Sequence, residues 1–228
     1  MADLSRTLPL TPLTTVRRLP HHQVTDRAAL YDIIDGALAG TLAIVRDGRP
    51  VALPVGIGRD GDDVLVHGST GSDFFRRIAA GAPVCLTVTH LLGLKYARSL
   101  FDSSMRYRCA VVHAVASVVP PEEKERALLN LSERLMPGRG AEVRPMTTRE
   151  LAATLVLRLP LTEASVKDNA TSLVEEDDDG EDRAVWAGTL PLRVVAGDPV
   201  TSAQTMPGTA IPPSVRRAAE RVAVGGTT

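Results

Sequence analysis

Aromatic residues are scarce in this sequence: one Trp, three Tyr and three Phe make up 3% of 228 residues. A chain so poor in rings lacks the stacking platforms on which single-stranded nucleic acid is usually held. Neither sign of charge dominates, with 26 Lys and Arg against 27 Asp and Glu for a formal charge of -1, so no global field attracts a polyanion. We expect no nucleic-acid partner. Cysteine occurs only as Cys85 and Cys109, too few for a disulfide scaffold or a cysteine zinc site, and both read as small core hydrophobes. No apolar run approaches the roughly 18 residues that span a bilayer, and the opening MADLSRTLPLTPLTT lacks the charged-then-apolar pattern of a signal peptide. A cytoplasmic protein with no membrane partner is the expectation.

What the chain does have is an ordinary globular balance, 44% hydrophobic and 23% charged, enough to bury a core that offsets the entropy of ordering. Residues 1–20, with Pro9, Pro12 and Pro20, read as an N-terminal arm. One folded domain covers 21–198, and 199–228, rich in Thr, Pro, Ala and Gly, reads as a flexible C-terminal tail. The acidic run at 175–182 lacks the ligand spacing of a calcium loop and reads as a solvated loop.

Within the domain, Leu30, Ile33, Ile34, Ala37 and Leu38 recur at helical spacing, which predicts a helix over about 26–39 with a Thr25 cap and a stop at Gly40. Three β-like runs follow, Thr41–Val45, Val51–Ile57 and Asp63–His67, parted by Asp47-Gly48 and Asp60-Gly61. These turn dipeptides predict a three-stranded antiparallel meander. A short helix at Ser72–Ile78 and a strand at Val84–His90 come next. The long β-branched stretch Met105–Val119 is expected to bend or bulge. Pro120 and Pro121 then open a helix to about Met136, and Thr147-x-x-Glu150 fits a capping box. Further strands are expected at Leu155–Leu159, Ala164–Lys167 and Val185–Val195. The order predicts a mainly β protein with flanking helices, an α+β antiparallel barrel whose open sides the helices cover.

Candidate chemistry centres on the third strand. His67 is followed by Gly68-Ser69-Thr70-Gly71-Ser72 and then a helix, an arrangement in which backbone donors, hydroxyls and a helix terminus cradle a phosphate. The same pattern is also ordinary turn chemistry. Arg76, Arg77, Arg106 and Arg108 can supply cations, although Arg106 and Arg108, on one face of a strand, can equally pair with carboxylates. His67, His90 and His113 all sit in strands without near carboxylate or thiolate neighbours, a poor metal set. Haem is different, since one axial histidine suffices. No nucleophile elbow, Walker loop or dinucleotide fingerprint is present.

Several stretches, taken in order, resemble the pyridoxamine 5′-phosphate oxidase-like split barrels that bind flavin mononucleotide (FMN), in particular the 5-nitroimidazole-reductase-like branch. They are Gly48-Arg49-Pro50 leading into Leu53-Pro54-Val55, then Val64–Ser69, Val84–His90, Ala97-Arg98-Ser99, Ser104–Arg108 and Val185-Trp186-Ala187-Gly188, together spanning roughly 25–195. The resemblance implies a split-barrel homodimer with FMN at the subunit interface. Leu53, Pro54, Val55 and Gly56 would lie along the isoalloxazine, and His67, Gly68, Ser69 and Ser72 would hold the phosphate. Arg76, Arg106 and Arg108 would serve as cations, with Thr89 also in the cofactor-binding set.

Departures from the family pattern accompany the resemblance. Asp73 stands where a basic residue is usual, His90-Leu91-Leu92-Gly93 lacks an acidic residue before the glycine, Asp102-Ser103 replaces what is often histidine, and Lys167-Asp168-Asn169-Ala170 replaces Arg-x-Gly-Pro. They imply a pocket adapted to a specialised substrate or to another ligand, such as haem or a deazaflavin. The expected function is a flavin-dependent oxidoreductase acting on a small-molecule substrate, in which the protein positions flavin N5 and needs no acid–base side chain; no catalytic residue is assigned. The alternatives are a haem enzyme on the same barrel, with His67 or His90 as axial ligand, and a non-catalytic flavin or ligand carrier.

Overall fold

A computed structural model of the chain describes residues 6–170 and 182–225, so the acidic run lies outside the described residues apart from Asp182. The first elements are β1 (Gln23–Val24), α1 (Arg27–Gly36), β2 (Ala39–Arg46), β3 (Arg49–Gly56), β4 (Gly58–Asp60), β5 (Asp63–Ser69) and α2 (Asp73–Ala79). Next come β6 (Pro83–Tyr96), β7 (Ser104–Val115), β8 (Ser117–Val118), α3 (Pro121–Leu135) and α4 (Thr148–Ala153). The last are β9 (Thr154–Pro160), β10 (Glu163–Asp168), β11 (Gly188–Pro191) and α5 (Pro213–Gly225).

These strands make two antiparallel sheets. The larger runs β1-β10-β7-β6-β2-β3 with β11 on β6, and the smaller β4-β5-β9-β8. Leu30, Ile33 and Ile34 of α1 meet Leu42, Leu86, Val112, Val166 and Leu159 in the main core. On β5, Val64 and Val66 face that core while Leu65 faces a second cluster with Leu128 and Leu131 of α3. Burial on both faces explains the unbroken Val64-Leu65-Val66 run, which does not alternate. The fold is the expected split barrel with flanking helices.

The meander is where expectation and structure part. β2 and β3 do form a hairpin, with Asp47 (φ 51°) and Gly48 (φ 73°) supplying the left-handed pair of a tight turn. β5, however, pairs with β4 and β9, not with β3. The chain changes sheet at Gly56-Ile57-Gly58. Ile57 is buried there, and α3 presses on both glycines: a Cβ on Gly56 would come 3.1 Å from Leu135 Cδ1, and one on Gly58 3.2 Å from Leu131 Cα. Leaving β3, β5 gains a partner, β9, along its whole length.

Other differences have local causes. α1 starts after Asp26, whose carboxylate accepts the Ala28 N–H, and stops at Gly36. Gly40 instead lies in β2, where a Cβ would come 2.8 Å from Leu86 Cδ1. The Met105–Val119 run breaks at buried Ala116 and passes between sheets as β7 and β8, the expected bend. Around Trp186 only Gly188–Pro191 is strand. The segment expected as a flexible tail carries α5, docked through Ser214 on Glu142 and through Arg217 and Arg221 on the carbonyls of Pro137, Arg134 and Asp35. In the N-terminal arm, Leu8 and Thr14 are buried, and Leu8 N–H donates to the Thr25 carbonyl at 2.8 Å.

Gly68 offers a direct test of how α2 seats on β5. A Cβ there would lie 2.3 Å from Phe75 Cδ2, so Gly68→Ala forces the ring aside at about 1–3 kcal/mol. Urea denaturation should show that loss, and Phe75→Leu in the same chain should return part of it.

Candidate cofactor site

β3 is the last strand of the larger sheet, and its hydrogen-bonding phase is set by the ladder. Ile57 N–H donates to the Leu38 carbonyl at 3.5 Å, and Gly56 lies opposite Ala39. Bonded and non-bonded pairs alternate in an antiparallel ladder, so Val51, Leu53 and Val55 bond to β2. The backbones of Pro50, Ala52, Pro54 and Gly56 therefore point out to the open edge. Both prolines occupy positions that need no N–H toward β2. The edge presents the Ala52 and Pro54 carbonyls and the Ala52 and Gly56 N–H groups. Of the four residues expected along a flavin ring, Leu53 and Pro54 are exposed and Gly56 is half-buried. Val55, 9% exposed, turns its side chain into the core.

At the β5–α2 turn the backbone donors are largely committed within the protein. Thr70 N–H bonds the Ala153 carbonyl, Gly71 N–H bonds Ser69 Oγ, and Ser72 N–H bonds the Ser69 carbonyl. Gly68 makes room for the Phe75 ring. Ser72 caps α2 without a side-chain bond, so its hydroxyl and the first amides of α2 remain to meet a ligand. Asp73, which stands where a basic residue is usual, is met by Arg77 at 2.9 Å and Arg46 at 3.9 Å. Arg77 also reaches Asp47 at 3.3 Å, tying α2 to the hairpin tip. Arg76 is exposed and makes no ion pair among the described residues, which leaves it as the cation of the turn.

Arg106 and Arg108 are held elsewhere. Arg108 stands in register between His90 and Asp168, and its Nε lies 2.9 Å from Asp168 Oδ2. Arg106, 5% exposed, donates to the Asn169 carbonyl at 2.9 Å, and burial lowers its pKa. Asn169 also accepts the Tyr107 N–H at 2.6 Å. The segment that departs from the Arg-x-Gly-Pro pattern is thus what secures both arginines. His90 Nε2 is 2.8 Å from the Ile33 carbonyl, so that nitrogen is the protonated donor, and Gly36 packs on the ring. His67 carries no such bond, and desolvation lowers its pKa, favouring the neutral imidazole. Among the described residues no cluster of three or more His, Cys, Asp or Glu is placed to hold a metal, and no helix is long and apolar enough to cross a membrane.

Thr89, beside His90, lines a cavity of about 360 Å³ between the end of α1, β2, β6, the 192–194 segment and α5. Arg193 and Arg221 on its wall were not anticipated. Arg193 lies in the run expected as a strand, just past the end of β11, and Arg221 in the stretch expected as a flexible tail, which carries the helix that brings it back to the barrel.

The family model for pyridoxamine 5′-phosphate oxidase matches residues 26–168. Among solved structures, the chain is similar to the FAD and haem binding protein from Mycobacterium smegmatis, with 42% identity, TM-score 0.82, and coverage of 87% of this chain and 97% of that one. It is similar to the flavocytochrome Anf3 from Azotobacter vinelandii at 26% identity and TM-score 0.84, covering 91% of this chain and 96% of that one. A Bacteroides thetaiotaomicron protein described as a 5-nitroimidazole antibiotic resistance protein shares the fold at 19% identity and TM-score 0.55, over 64% of this chain and 85% of that one. No curated protein matches the chain. With the split barrel, the open β3 edge and the family match all in place, the chain belongs to the pyridoxamine 5′-phosphate oxidase family of flavin-binding split barrels.

Proposed function

We propose that the protein is a flavin-dependent oxidoreductase that works as a homodimer on a small-molecule substrate. The observation that carries this is the open edge of β3. A flavin presents an acceptor, donor and acceptor along its pyrimidine edge, and the edge of β3 offers partners of both kinds, the Ala52 and Pro54 carbonyls and the Ala52 and Gly56 N–H groups. The Ser72 hydroxyl, the first amides of α2 and Arg76 suit the phosphate. Bound there, the flavin supplies hydride or electron exchange with the substrate, and the protein supplies binding and orientation. The FMN expected from sequence widens to FMN or FAD, because the 42% identical relative is named for FAD.

Support for the dimer comes from the outward face of the larger sheet. On the central strands β2, β6 and β7, where Leu42, Leu86 and Val112 point inward, the alternate positions Thr41, Ala43, Cys85, Thr87, Val111 and His113 carry no carboxylate, lysine or arginine, and the charges begin beside them on β10 with Glu163 and Lys167. A sheet face meant for water normally alternates apolar with charged or strongly polar residues. A second reading, haem on the same scaffold, is favoured by His67, which is unbonded and inclined to the neutral form that ligates iron. His90 suits the role less, with its Nε2 committed to Ile33.

The absorption spectrum of the purified protein separates the readings: a yellow two-banded flavin spectrum, a sharp Soret band, or both. Arg76→Ala should weaken flavin binding roughly ten- to a hundredfold, the value of one charge-assisted contact of about 1.5–3 kcal/mol. Asp73→Asn, which releases Arg77 and Arg46 toward the turn, should tighten binding, and more so at low salt. Fluorescence quenching reads both, and unchanged affinity in both variants removes the phosphate from this turn. Light scattering should give a dimer at micromolar concentration, with Thr87→Lys driving it to monomer and lowering flavin affinity together. A wild-type monomer that still binds flavin would reject the shared site.

A further inference from the structure

The formal charges on the wall of the cavity beside Thr89 are of one sign. No Asp or Glu lines it, whereas Arg193 and Arg221 both do. Arg221 donates to the main-chain carbonyls of Asp35, at 2.7 Å, and of Arg134, groups that hold a guanidinium in place without neutralising it. The Asp35 carboxylate itself is taken by Arg59 at 2.5 Å and Arg134 at 3.3 Å. Three guanidinium groups thus converge on one aspartate, and the excess positive charge lies on the cavity wall. Burial and the neighbouring Arg134 lower the Arg221 pKa, outweighing the opposite pull of Asp35. Arg193 has no hydrogen-bond or ion-pair partner among the described residues and is exposed.

The remaining wall is mostly apolar, chiefly Leu38, Leu91, Leu92 and Leu192, with Thr89 and His90 as its polar members and the His90 Nε2 held by the Ile33 carbonyl. Leu38 and Leu91 are 42% and 45% exposed, an uncovered surface of large side chains. At about 360 Å³ the space falls in the usual range for small-molecule sites. Apolar walls with cationic groups on one side select a molecule with an apolar body and an anionic head. A compact dianion such as free phosphate would lose too much hydration against leucine to favour the site.

We propose that this cavity binds a small organic carboxylate, its head between Arg193 and Arg221 and its body against the leucines. The proposal deepens the flavin reading and rests on it for its role. Ala39 of the cavity lies opposite Gly56 at the end of the open β3 edge, so a carboxylate held here adjoins the flavin as its substrate.

Octanoate, octanol and inorganic phosphate serve as probes in calorimetric titrations of the full-length protein. Octanoate should bind once per chain, and octanol and phosphate at least about tenfold more weakly, the value of a charge-assisted contact. Arg193→Gln should lower octanoate affinity about tenfold and leave octanol affinity and flavin affinity unchanged. Because Arg221 also anchors α5, the second variant is Leu92→Trp, which fills the cavity and should abolish octanoate binding in a chain that still melts cooperatively. Equal binding of octanoate and octanol, or octanoate affinity indifferent to Arg193→Gln, overturns the proposal. Flavin affinity measured in parallel keeps the two readings apart. Octanoate binding without flavin binding defeats the flavin assignment and leaves the carboxylate site standing, whereas flavin binding without octanoate binding defeats the site.

Discussion

Helix α3 reaches the barrel where the chain carries no Cβ, and its contact with Gly56 and Gly58 governs how the strands around it are shared between the two sheets. The helix occupies the corner, so the chain between the glycines turns from one sheet into the other with Ile57 buried beneath it. β5 is thereby delivered to β9, and β3 is left as the end of its sheet. Had β5 paired with β3 as a plain meander, the edge carrying the Ala52, Pro54 and Gly56 backbone groups would be satisfied by protein. The candidate cofactor edge is thus a consequence of a packing contact some distance from it. Pro50 and Pro54 keep that edge from templating another strand, because they remove donors such pairing requires.

The departures from the family pattern have an electrostatic logic of their own. Asp73 sits where a cation is usual, yet Arg77 and Arg46 answer it, and Arg77 in turn fastens α2 to Asp47 at the hairpin tip. Lys167-Asp168-Asn169-Ala170 replaces a pattern associated with ligand contact, and here Asp168 and Asn169 hold Arg108 and Arg106. Arg106 and Arg108 are therefore held by the protein itself, while Arg76, Arg193 and Arg221 keep charge to offer a ligand. One substitution in such a set alters its partners as well, because a buried cation stripped of its carboxylate or carbonyl is costly to keep.

Much of this was legible in the residues. Alternation and turn dipeptides determined the strands, down to the left-handed Asp47-Gly48 turn, and Thr147 with Glu150 determined the capping box that opens α4. Motif order determined the family. Those features are local, set by a few neighbouring residues and the backbone angles they allow. Which strand pairs with which was decided only by tertiary structure, because β5 is apolar on both faces and its sequence suits either sheet. The docking of α5 was decided there too, through Ser214 on Glu142 and Arg221 on the carbonyls of Arg134 and Asp35, contacts that span long separations and leave no periodic trace. So was the allocation of the arginines, since a guanidinium reads the same in sequence whether it meets a carboxylate, a carbonyl or an open cavity, and only its surroundings in space determine which charge remains for a ligand.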